Sequence, residues 1–250
     1  MPAPPFRKTI AILPLGAHEY HGPHLPFETD AIIADGIAQQ LQSVLPPELD
    51  VTFLPTERIT YSIEHAHIEG TKTLTYDEAV NRWLGIAEEL ASQGIRKLIL
   101  LNAHGGNSPL MTVVATEARV RFNMLCVATS WTRFGASEGV VSAEDKATDI
   151  HGGDIETSVM LALAPETVSM EKAQNFASRQ SDFIREFKHL RAYGPHAFGW
   201  KMSDLNEQGA AGNASRATAE KGETMLKKAV AGLAELISDV DRFDIRAFDI

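Results

Sequence analysis

Apolar residues in this chain fall into two alternating kinds of pattern. Short, nearly continuous runs at residues 9–13 (TIAIL), 51–54 (VTFL), 97–101 (KLILL) and 124–130 (MLCVATS) read as strands buried on both faces. Between them, apolar positions recur at helical spacing. Residues 31–41 (AIIADGIAQQL) predict a helix with Asp30 at or near its N-cap, and Pro46 and Pro47 close that region. A second helix is expected from Asp77 to Gln93, ended by Gly94. A third runs from Ser108 to about Phe122, with Ser108 as cap and Pro109 in the first turn. The run VMLAL at 159–163 belongs to a further helix, Trp83 reads as core on its helix, and the rest of the second half is expected to be mainly helical, apart from a glycine-rich loop around Gly209 and Gly212. Residues 61–76 read as a polar loop and 131–149 as irregular. Strand and helix alternate through the first 165 residues. That order predicts a mostly parallel sheet with helices on both faces, a three-layer α/β/α sandwich. No internal repeat or linker interrupts it, so a single domain over residues 1–250 is expected.

Composition changes this picture little but excludes some functions. The net charge of −10, with no run of Lys or Arg, argues against a nucleic-acid partner. Lys227 and Lys228 lie on an amphipathic C-terminal helix and read as its solvated face. No apolar stretch approaches the ~20 residues of a membrane span, and the start MPAPPFRK has no apolar signal core. A soluble cytoplasmic protein is therefore expected, with no membrane partner. Cys126 stands alone in an apolar run, so it reads as a buried structural thiol.

The chemistry is concentrated in residues 19–30, EYHGPHLPFETD. Twelve residues hold Glu19, His21, His24, Glu28 and Asp30. Gly22, Pro23 and Pro26 rule out a regular helix, so the stretch is a stiff loop rich in metal-type donors. In an extended backbone Glu19 and His21 point the same way. Two further segments match it. NAHGGN at 102–107 follows a predicted strand, and HGGDIETS at 151–158 opens a predicted helix. Open α/β sheets build their sites at the carboxyl ends of strands. Imidazole and carboxylate together suit zinc, manganese or iron(II).

Together the three segments resemble the creatininase (creatinine amidohydrolase) family, from about Ile12 to the stretch GNASRATAEKG at 212–222. The motif E-x-H-G-x-H-L-P-x-x-T-D is long and specific. The resemblance implies two divalent metal ions per chain, one held by Glu19, Asp30 and His104, the other by His21 with Asp30 as a shared bridge. A water between such ions can ionise near pH ~7. Creatininase carries a Glu two residues beyond the His corresponding to His104, where this chain has Gly106. Glu156 is assigned to the second metal in its place, and creatinine itself becomes a less favoured substrate. His151 matches the catalytic His that would protonate the leaving nitrogen. Residues 64–71 resemble an H-x-x-F-P-G-T stretch near the substrate, with His67 taken as the match and Glu69 standing in the place of Pro. Creatininase itself is a hexamer, so the resemblance implies a homo-oligomer.

Other candidates carry weaker signals. His24, Gly105, Gly106 and Asn107 suggest substrate binding or support of the ligands, and Asn102 and Asn107 suggest loops held in place. Trp131 and Trp200 are candidate pocket walls, although aromatic residues more often fill cores. Ordinary roles compete with the sharp ones. A helix N-terminus favours Glu156 without any metal, Asp30 fits a cap, and His18, His151 and the other loop imidazoles fit plain hydrogen bonding. Three His–carboxylate segments in one order favour the metal site. The reading is thus a metal-dependent amidohydrolase that cleaves a cyclic amide or formamide C–N bond of a small molecule. The alternatives are creatininase proper, a two-metal phosphoester hydrolase, and a metal-binding protein without catalysis.

Overall fold

The computed structural model describes residues 6–248. Met1 to Pro5, where the stretch read as lacking a signal core begins, lie outside the described residues, as do the last two of the 250 assigned to one domain.

Four parallel strands form the central sheet in the order β2-β1-β3-β4: β1 (Arg7–Leu15), β2 (Val51–Phe53), β3 (Ile95–Asn102) and β4 (Leu125–Ser130). Strand side chains alternate between faces, and here both faces are apolar. Ile10, Ile12, Ile99 and Leu101 pack against α1 (Thr29–Val44), α5 (Asp154–Leu163) and α8 (Ala219–Arg242). Ala11, Leu13, Leu15, Leu98 and Leu100 pack against α2 (Tyr76–Ser92) and α3 (Ser108–Phe122). The result is the three-layer sandwich that the strand runs predict. The direction of winding reverses between β1 and β3, so their carboxyl ends open a crevice in which α/β proteins place ligands.

Helix boundaries shift for local reasons. Helix α2 starts one residue before Asp77, because Thr75 caps it in a reciprocal capping box with Glu78. Ser108 is the first helical residue of α3 rather than its cap, and Asn107 precedes it. Asp30 lies inside the first turn of α1 and makes no cap bond. The stretch expected to be irregular contains a short turn of 3₁₀-helix at Trp131–Phe134 and helix α4 (Ala143–Thr148). The second half is less helical than expected. Between α5 and α8 the described residues hold only α6 (Gln180–Glu186), α7 (Met202–Leu205), short 3₁₀ turns and a small antiparallel pair, β5 (Asn175–Phe176) with β6 (Gly212–Asn213). Apolar residues there, such as Ala192, Met202, Leu205 and Ala211, pack within a largely irregular cover instead of along one long helix.

Candidate metal centre

The donor-rich loop leaves the end of β1 at Gly16. A Cβ there would come 2.6 Å from the Ala31 Cα, so only glycine lets the strand end cross the start of α1. The Glu19 N–H donates to the Phe27 carbonyl at 3.1 Å and closes the loop on itself. Gly22, at φ +77°, provides the left-handed turn between His21 and His24.

This closure brings Glu19, His21 and Asp30 together in the interior, where all three are essentially inaccessible to solvent. His104 enters from the loop after β3, and His151 and Glu156 from the loop and first turn of α5. The His104 Nδ1 lies 3.1 Å from Glu19 Oε1 and 3.3 Å from Asp30 Oδ2. The other oxygen of Asp30, Oδ1, lies 3.3 Å from His21 Nε2, which in turn is 3.9 Å from Glu156 Oε2. Asp30 therefore faces a different imidazole with each oxygen, as a bridging carboxylate must.

Both imidazoles have their far nitrogens engaged. His21 Nδ1 pairs with its neighbour's carbonyl, Glu19 O, at 2.9 Å, and His104 Nε2 with Tyr61 O at 3.0 Å. A carbonyl only accepts, so each far nitrogen carries a hydrogen, and the near nitrogen is the one that can offer a lone pair to a cation once its own proton has left.

The near atoms have no hydrogen-bond partners. Glu19 Oε1, His21 Nε2 and both Asp30 oxygens are buried and unpaired. Buried polar atoms are ordinarily satisfied, and four converging unpaired atoms make a donor set suited to cations. Ligand atoms of Glu19, Asp30 and His104 lie within 4.8 Å of one another, and so do those of His21, His151 and Glu156. The donor set of carboxylate and imidazole fits zinc, manganese or iron(II).

Burial and charge oppose one another here. Burial alone would discharge His21, but the Asp30 carboxylate outweighs it and pushes the imidazole up to about 10. Burial likewise opposes charging of His104, yet Glu19 and Asp30 hold it well above the usual range. Burial raises Glu156 to about 7, against the pull of His21. Its Oε2 also accepts from the Gly152 N–H at 2.6 Å, so the residue joins the helix start to the cluster.

His151 stands over both groups. Its Nε2 donates to the Tyr20 carbonyl at 2.8 Å, and its Nδ1 lies 3.5 Å from Glu19 Oε1. Burial, followed by the neighbouring imidazoles His21 and His65, holds it well below the usual range, which leaves a neutral base at neutral pH.

His65 is a member of the cluster that the sequence reading passed over. Its Nδ1 is 2.9 Å from Glu19 Oε2, its Nε2 is buried without a partner, and its ring centroid lies 4.3 Å from that of His151. Ser62 donates its hydroxyl to the same Glu19 oxygen. His67, taken above as the match to the H-x-x-F-P-G-T stretch, is exposed and outside the site. Counting back from Gly70 and Thr71 gives His65, so the signal was present in the spacing.

The remaining candidates divide. His24 braces the loop, with Nε2 2.9 Å from Thr157 Oγ1 and its ring stacked on Phe176. Burial and the charge of His21 push it down to about 4. Asn107 donates to Gly16 O and Asn102 Oδ1 and accepts from the Tyr61 N–H, while Asn102 holds the His104 backbone through two hydrogen bonds. Gly105 borders open space and Gly106 is tightly enclosed. Trp131 does not line a pocket: it is packed into the core beneath α8 at 2 % exposure. Trp200 donates its indole N–H to Ala192 O within the irregular cover.

Known proteins resemble this chain over most of its length. A family model for creatininase, described as creatinine amidohydrolase, matches residues 5–237. The chain is 27% identical to the mycofactocin precursor peptide peptidase of Mycolicibacterium smegmatis, over 91% of this chain and 84% of that one. It is 26% identical to the creatinine amidohydrolase of Pseudomonas putida, over 92% and 89%. A Bacteroides fragilis structure described as a creatinine amidohydrolase superposes with a TM-score of 0.75 at 26% identity, covering 94% of this chain and 90% of that one. A manganese form of creatininase superposes at 0.69 and 24% identity, covering 93% and 91%, which bears on the fold.

Proposed function

This chain belongs to the creatininase family, and from that premise we propose that it hydrolyses the C–N bond of a cyclic amide or formamide in a small molecule, with two divalent cations held by the cluster around Asp30. The single observation that carries the reading is the set of unpaired buried donors on Glu19, His21 and Asp30. Glu19, Asp30 and His104 would hold one cation, and His21, Asp30 and Glu156 the other. When bound, such cations polarise a carbonyl and supply an activated water.

The chain's own residues do the rest. Ser62 and His65 fix Glu19 through its outer oxygen, so its inner oxygen stays aimed at the centre. His151 has its Nε2 committed to Tyr20, which leaves Nδ1 as the atom that takes a proton and delivers it to the departing nitrogen. We extend the proposal to a homo-oligomer, hexameric as the family resemblance implies, and to a cytoplasmic location. No helix among the described residues is long and apolar enough to cross a membrane.

A substrate panel on metal-reconstituted protein tests the reading: creatinine, other cyclic amides and ureides, formamidopyrimidines and short peptides, each with and without chelator. Chelator-sensitive hydrolysis of a cyclic amide or formamide is expected. Hydrolysis that persists in chelator at an undiminished rate contradicts the metal role. Turnover of peptides alone contradicts the bond class.

A further inference from the structure

We propose that Glu64 is a positioning residue for His104, reaching into space that only a glycine at position 106 leaves free. The proposal rests on the metal reading above, but a different set of atoms carries it.

Glu64 lies in a 3₁₀ turn (Ile63–His65) far from His104 in sequence. Its Oε1 is 3.4 Å from His104 Nε2, on the side of the ring opposite the cluster. The Tyr61 carbonyl, 3.0 Å from the same nitrogen, is its hydrogen-bond acceptor. A carboxylate beside that N–H strengthens its polarisation and makes the opposite nitrogen a better donor to a cation, the usual service of a carboxylate behind a ligating imidazole.

Gly106 makes this arrangement possible. A Cβ on it would lie 2.5 Å from Glu64 Oε1, 2.5 Å from His104 Nε2 and 3.0 Å from Tyr61 O. Any side chain at 106 must therefore expel the carboxylate or turn the ring. Its neighbour Gly105 would meet nothing within 4 Å. Position 106 is thus set by steric fit, and its partners in that fit are the Glu64 carboxylate and the His104 ring edge. The Glu64 side chain is largely sheltered, which strengthens its charge interaction with the ring edge.

A mutant cycle on full-length, chelator-stripped protein tests the pairing, with zinc or manganese titrated as the probe. E64Q keeps the shape and removes the charge, and is expected to weaken cation affinity about tenfold or more while leaving the melting temperature of the metal-free protein unchanged. E64A is expected to weaken affinity as E64Q does, and G106A to weaken it further, because its methyl group also meets His104 Nε2 and Tyr61 O; with the Glu64 contact already lost in G106A, E64A/G106A is expected to bind as G106A alone does. Unchanged affinity in E64Q, or losses that multiply in the double variant, overturns the proposal. Failure of the wild-type protein to bind either metal would overturn the metal reading itself, which separates the two claims.

Discussion

Asp30 shows how much one side chain can settle. Its two oxygens point at two imidazoles and bond to neither water-exposed groups nor backbone, so a cap role explains none of its geometry. Glu19, His21 and Asp30 were legible because donors crowded into twelve residues have no packing purpose. His65 was not, since its partner Glu19 is distant in sequence and His67, two residues on, offers the same side chain to the motif. Trp131 was misplaced as a pocket wall because composition does not reveal which face a ring takes. Two predictions belong to this scale. His151→Ala should retain its metals and lose turnover by about 10²–10⁴-fold, the worth of a positioned acid–base group, as measured by elemental analysis beside a rate assay. Loss of metal would make His151 a ligand instead. The second concerns protons. His21 lies at about 10 in the metal-free fold, above its ordinary value of ~6.5. Its charged pairing with Asp30 therefore stabilises that form fully below pH ~6.5 and ceases to as pH climbs toward 10. A cation must displace this proton, so metal affinity should rise with pH from 6 to 9. Calorimetry in buffers of different ionisation enthalpy should detect proton release at pH 7; buffer-independent heats contradict it.

At the scale of elements, the site depends on where strands and helices end. The ends of β1 and β3 and the starts of α1 and α5 supply every proposed ligand. Those ends were readable as glycine-rich breaks after apolar runs, whereas exact caps were not, because the chosen cap depends on side-chain geometry at the junction. The start of α5 is held by Asp149, whose Oδ2 accepts from the Ile155 N–H at 3.1 Å. Burial pushes this acid up to about 8, against the pull of that hydrogen bond. A raised acid favours folding as the neutral form, so its contribution is full below pH ~3.9 and is lost as pH rises through about 8. Asp149→Asn keeps the acceptor and removes the titration. In chelator-stripped protein its melting temperature should gain on the wild type steadily from pH 5 to pH 8. Parallel curves would show that Asp149 is not buried as an acid.

At the scale of the whole molecule, a sheet apolar on both faces gives a rigid frame, and the acidic cluster sits at the point where its winding reverses. The sandwich was legible from strand runs alone because burial on both faces leaves no alternation to confuse the pattern. The cover between α5 and α8 was not, since its apolar residues follow neither period and are ordered by long-range packing. The frame and the cluster make separable contributions. Trp83, fully buried between β-sheet and helix, should cost about 3–5 kcal/mol on Trp83→Ala without altering metal stoichiometry in the folded fraction, as judged by denaturant unfolding and metal analysis. Cations that bind only the folded state should raise stability by about 2.7 kcal/mol at a hundredfold excess over Kd, reversibly on chelation. The number of metal ions bound by wild-type protein and by Asp30→Ala, counted by elemental analysis after reconstitution and desalting, tests the bridged centre most directly. Two ions per chain in the wild type and none in the variant is the predicted result. A variant that still holds two ions would contradict the bridging role of Asp30 and the centre built around it.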